Sequence, residues 1–184
     1  TTYFWFLIIL VTGLTGCKSF NICLPKESLS ISVKDIVFIV IAMILFGVFS
    51  GYKPGKKISD IIIFCLVFPI GEEILFRGII QSMANYLMGG NLVYIPMPIF
   101  NSVTVQVFIS AFCFGITHFQ YFDFRFNSSS LKKVLFAFVF GLFAGNIVEI
   151  TGSIFYTILF HILGNSIAAI YYVVKTKEGI NLTN

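Results

Sequence analysis

The chain has 184 residues, 58% of them hydrophobic and only 11% charged, with a mean hydropathy of +0.96. A soluble domain is about half apolar and one-quarter charged, so this composition places the chain in a membrane and excludes a soluble enzyme. The net charge of +4 is modest and its basic residues fall between apolar runs, which fits topology signals and contact with membrane lipid rather than a nucleic-acid partner.

Six apolar segments follow one another: Tyr3–Gly16, Ile36–Tyr52, Ile61–Met88, Val103–Phe119, Val134–Ile150 and Ile154–Val174. A spanning helix takes about 20 apolar residues, with a range of about 17–25. The pattern predicts an all-α fold, a polytopic transmembrane helical bundle with five to six membrane-spanning helices and an internal polar cavity. Residues 1–184 read as one integral membrane domain.

The first segment is short and reads as a truncated span, a re-entrant piece or the apolar part of a signal sequence. It ends Leu14-Thr15-Gly16-Cys17, similar to a lipoprotein cleavage site but without a preceding basic residue, and the start at Thr1 suggests a fragment or a processed form. Cys17 and Cys23 would pair only in an oxidising compartment, while Cys65 and Cys113 lie in apolar runs and read as small packing residues. The third segment is too long for one straight span, so it extends past the bilayer or breaks near Pro69-Ile70-Gly71.

Loop charge alternates. Gly51–Asp60 carries Lys53, Lys56 and Lys57, and Gln120–Lys133 carries Arg125, Lys132 and Lys133, whereas Gly89–Ser102 and Thr151–Ser153 carry no basic residue. The tail adds Lys175 and Lys177, so the positive-inside rule puts the basic loops and the C-terminus in the cytoplasm of a multi-pass cell-membrane protein. The first connection, with Lys18, Lys26 and Lys34, breaks the rule. The chain has no internal repeat, which gives an inverted-repeat transporter no support.

Function is concentrated in the few polar residues within the apolar runs. Glu72 and Glu73 sit side by side in the third segment, with Arg77 four residues after the second. Each ionised side chain at the centre of a membrane helix costs roughly 2.5–3.5 kcal/mol even on the lenient insertion scale, so the group needs a partner, a wet cavity or a task. Glu73 and Arg77 are in register at i,i+4, and self-neutralisation would account for them. Glu72 points about 100° around the helix with no cation in register, leaving a carboxylate for a general base or a metal. Both histidines of the chain, His118 and His161, also lie in apolar runs, and Asn165 follows His161 by one turn on the same face. Asp123, Arg125 and Glu149 read as interfacial residues.

Glu72-Glu73-x-x-x-Arg77, Phe114-x-x-x-His118 and His161-x-x-x-Asn165, in that order, resemble the three motifs of the CPBP intramembrane proteases. That family includes the type II CAAX prenyl endopeptidases and the bacterial Abi proteins, some linked to bacteriocin immunity. The resemblance covers roughly residues 60–174, which would be the catalytic core, and implies an intramembrane endopeptidase acting on a membrane-associated peptide or protein. It implies that Glu72 and His118 activate water, that His161 and Asn165 donate to the oxyanion, and that Glu73 and Arg77 hold the geometry. Glu72, His118 and His161 would be the ligands if a metal such as zinc is used, though a Glu–His pair activates water without one. The runner-up is a non-catalytic immunity or scaffold protein of the same fold. A proton-coupled transporter, where buried Glu and His also occur, is third.

Overall fold

A computed structural model of the chain describes residues 2–16, 19–27, 33–49, 52–97, 101–122 and 124–176. The fold is predominantly helical. Helix α1 (Thr2–Thr15) and helix α2 (Val33–Phe49) are followed by one composite helix. It runs as α3 (Ile58–Ile62), a first π segment (Ile63–Val67), α4 (Phe68–Glu73), a second π segment (Ile74–Ile80) and α5 (Gln81–Leu87). A hairpin of β1 (Tyr94–Met97) and β2 (Asn101–Thr104) leads into α6 (Val105–Thr117), a 3-10 turn (His118–Phe122), α7 (Ser128–Thr151) and α8 (Phe155–Thr176). The strands pair antiparallel, with Tyr94 opposite Thr104 and Met97 opposite Asn101. Each apolar segment thus has its helix, and the addition is the hairpin, which occupies the uncharged third connection. Among the described residues two helices, Ser128–Thr151 and Phe155–Val174, are long and apolar enough to cross a membrane uninterrupted.

The third segment does not break at Pro69. Proline occupies the first turn of α4 within the continuous helix, and the chain absorbs it by widening into a π segment just before it. The Phe68 N–H reaches back to the Ile63 carbonyl, five residues away, and at the end of the second π segment the Gln81 N–H reaches Phe76 in the same way.

Local sequence fixes the other ends. The Asn127 side chain accepts from the Ser130 N–H at 2.9 Å and the Ser130 hydroxyl accepts from the Asn127 N–H at 3.1 Å, a reciprocal cap that starts α7. Gly152 closes the same helix at φ 63°, a left-handed conformation that glycine adopts without a Cβ penalty. Thr104 caps α6 by accepting from the Val107 N–H at 3.3 Å.

Close packing of α6 on α7 rests on small residues. A Cβ at Gly141 would stand 2.9 Å from Ala111 Cα, and one at Gly145 would stand 2.8 Å from Val107. Both glycines, with Ala137 and Ala144, let two backbones approach in the way membrane helices commonly do, and the sequence reading missed this Gly-x-x-x-Gly pair. Helix α1 crosses the composite helix at Gly71, whose Cβ would meet the Trp5 and Phe6 rings at 3.1 Å. Helix α2 lies on α8 where a Gly47 Cβ would meet Ile167 at 2.6 Å.

The segment 19–27 folds over the turn between α7 and α8. The Lys26 N–H donates to Thr151 O at 2.9 Å, the Ile154 N–H to Asn21 O at 3.0 Å and the Ser153 hydroxyl to Cys23 O at 2.5 Å. The first connection therefore shares an end of the bundle with the uncharged turn Thr151–Ser153, and Lys26 remains the exception to the charge rule that the sequence suggests. Cys17, Lys18 and Lys177 lie outside the described residues, so the disulfide and cleavage-site readings fall there too; the Cys23 thiol donates to Gly152 O at 3.6 Å. Cys65 is buried and Cys113 packs against the Phe76–Phe114–Ala137 cluster, as small apolar residues do.

Overpacking at the α6–α7 contact is expected to cost about 1–3 kcal/mol. Gly141→Leu should lower the unfolding midpoint in detergent, while Gly164→Ala, whose Cβ meets only the Met43 tip at 3.2 Å, should stay within about 0.5 kcal/mol of the parent.

Candidate active site

The composite helix delivers two carboxylates and a guanidinium to the middle of the bundle. Glu73 and Arg77 are both fully buried, with Arg77 Nη1 3.2 Å from Glu73 Oε1. The π segment between them does not separate the i,i+4 pair expected from the sequence. Arg77 also lies over the Phe114 ring at 4.2 Å and near the Phe140 ring at 5.7 Å, so aromatic faces share in holding the cation. Gly141 makes the room, since a Cβ there would stand 3.3 Å from Arg77 Nη2.

His161 comes from α8 and meets both carboxylates. Its Nδ1–H donates to Glu73 Oε1 at 2.8 Å, and its Nε2 faces Glu72 Oε2 at 3.6 Å. Glu72 therefore has a cation-forming neighbour after all, but one supplied from another helix rather than along its own. Its other oxygen, Oε1, accepts from the Tyr121 hydroxyl at 3.2 Å.

His118 is placed by the way α6 ends. At that terminus the His118 backbone N–H turns to Gly115 and Ile116, which frees the Phe114 carbonyl. That carbonyl then accepts from the Thr117 hydroxyl at 2.9 Å and from the His118 Nδ1–H at 2.7 Å. A carbonyl only accepts, so the proton of the neutral ring is on Nδ1 and the lone pair is on Nε2.

Aromatic rings hold these groups together. Phe114, 1% exposed, stacks edge-on against His118 at 4.5 Å, His161 at 5.8 Å and Phe76 at 5.2 Å. Tyr52 and Tyr121 lie edge-on to His118 at 5.5 and 5.4 Å. The sequence reading passed over Tyr52, Tyr121 and Phe140. The only available signal was the place of Tyr121 one turn beyond His118.

Glu72, Glu73, Arg77, His118 and His161 thus gather around one aromatic cluster. Asn165 is turned elsewhere: its Nδ2–H donates to the Phe64 carbonyl in the first π segment at 2.8 Å. Glu149 is at the far end of α7, accepting from Thr104 at 2.5 Å; Arg125 is exposed, and Asp123 lies outside the described residues. Glu72 and His161 face each other as two ligands of one metal would, but among the described residues no group of three or more His, Cys, Asp and Glu side chains is arranged to hold an ion.

Residues 54–167 match the family of type II CAAX prenyl endopeptidases described as Rce1-like. The chain belongs to this family. Comparisons with curated proteins and with solved structures gave no match. All six residues singled out above fall inside the matched stretch, while α1 and α2 precede it. Membership of the Rce1-like family makes this a membrane protein of a protease family, whose substrate is a peptide or protein.

The cluster predicts unequal costs for its two carboxylates. Glu73→Gln leaves the buried Arg77 without its counter-ion and should destabilise by about 3–5 kcal/mol. Glu72→Gln, at the Tyr121 edge, should cost clearly less, as read from unfolding midpoints of the purified protein.

Proposed function

We propose that the chain is an intramembrane endopeptidase in which Glu72 and His118 activate the attacking water. The observation that carries this reading is the paired engagement of His161, on Glu73 through Nδ1 at 2.8 Å and facing Glu72 through Nε2 at 3.6 Å, in a chain of this family. The bundle crosses the bilayer five to six times, and the cluster lines an internal polar cavity that opens at the Tyr52 and Tyr121 end. By loop charge that end faces the cytoplasm.

Amide hydrolysis needs a base, a positioned water and donors aimed at developing negative charge. Glu72 takes the proton of the water, and His118 Nε2, held towards the site by the Phe114 carbonyl, orients that water. The new C–O bond puts negative charge on the former carbonyl oxygen. His161, flanked by two carboxylates, donates from Nε2 to that oxygen while Nδ1 stays on Glu73. The proton held by Glu72 then passes to the leaving amine as the C–N bond breaks. Arg77, 3.2 Å from Glu73, holds that carboxylate and with it the His161 ring in place. The substrate is a peptide presented at the cytoplasmic membrane face, and the prenyl group in the family's name is not needed by any of these steps. No observation at the site favours the immunity or scaffold alternative.

Cleavage of a fluorogenic peptide library by the purified protein in nanodiscs tests the reading. Glu72→Gln and His118→Ala should each reduce kcat by about 10²–10⁴-fold while leaving the protein folded. Activity should survive exhaustive chelation with metal content well below one ion per chain. Variants that cleave as well as the parent would remove the assignment, and loss of activity on chelation with recovery on adding zinc would replace the metal-free route.

A further inference from the structure

Asn165 has its partner outside the charged cluster, and the reason lies in the backbone of the composite helix. In a π segment each carbonyl takes the N–H five residues on. For Phe64 that residue is Pro69, which has no N–H. The α-helical alternative, the Phe68 N–H, is already given to Ile63. The Phe64 carbonyl is therefore an orphan by covalent chemistry, in a chain whose surroundings are lipid and protein, where an unpaired backbone group costs several kcal/mol. The Asn165 amide meets it at 2.8 Å.

We propose that Asn165 is a positioning residue that supplies the N–H Pro69 cannot, and so fixes the π segment that aims Glu72 and Glu73. A π segment fits one extra residue into its turn, and its collapse to α geometry would rotate the residues that follow by about 100°. Glu72 and Glu73 begin three residues after Pro69. Such a rotation would carry Glu72 away from Tyr121 and His161, and Glu73 away from His161. His161 and Asn165 share one face of α8, so the same helix grips the composite helix at two heights, once on Glu73 and once on Phe64. The catalytic consequence rests on the peptidase reading, and the structural one does not.

The test is a second-site rescue on the full chain in detergent, with Asn165→Ala, Pro69→Ala and the double variant beside the parent. Asn165→Ala should lower Tm by about 2–6 °C and kcat at least about tenfold. Pro69→Ala should stay near the parent. The double variant should regain most of both losses, because residue 69 then carries an N–H in register with Phe64. If Asn165→Ala does not accumulate folded, recovery of folded protein in the double variant is the same rescue read as yield. A double variant that regains Tm but not kcat would overturn the proposal by showing that the amide serves the reaction directly. An unchanged Tm in Asn165→Ala, or no recovery in the double variant, would overturn it as well. Failure of the peptidase reading would appear separately, as cleavage that persists in Glu72→Gln, and would leave the Tm comparison standing.

Discussion

The Glu73–Arg77 pair, with His161 bonded to the same carboxylate oxygen, is the interaction on which the rest of the architecture depends. Two full charges with no exposed surface are tolerable in an apolar bundle only as a neutral, closely held unit. That demand fixes much else. It needs α8 near enough for an imidazole to arrive, Gly141 bare enough for the guanidinium, and Phe114 and Phe140 turned so that their faces meet the cation. The helices that carry the pair cannot slide or rotate without leaving one charge alone.

Irregular helix geometry recurs where the composite helix meets its neighbours. Both π segments present a carbonyl to a side chain from another helix: Phe64 to Asn165 of α8, and Phe76 to Ser110 of α6 at 2.7 Å. Each is a departure from regular hydrogen bonding that a neighbour answers. Backbone polarity, which in a regular membrane helix is turned inward and silent, here becomes a means of registering one helix on another.

Much of the site was legible in the sequence because the membrane makes polar residues conspicuous. Against an apolar background Glu72, Glu73, Arg77, His118 and His161 stood out by cost alone, and the six helices followed from the lengths of the apolar runs. What stayed hidden had no such cost. Tyr52 and Tyr121 are ordinary interfacial residues until a fold sets them on His118. The hairpin Tyr94–Thr104 is too short to show a period. The π segments leave no compositional trace beyond Pro69, which signalled a break and produced a widening instead. The partner of Asn165 could not be read either, since a side-chain amide at i,i+4 from His161 shares its face but reaches a different target.

The strap formed by residues 19–27 bears on how the protein is made. Its backbone groups find partners at Thr151–Ile154, and the Ser153–Cys23 bond spans 130 positions of the chain. At a synthesis rate of about 5–20 residues per second, those groups wait on the order of 10 s before the α7–α8 turn exists to receive them. A connection that precedes the composite helix is thus among the last parts of the bundle to reach its final hydrogen bonds.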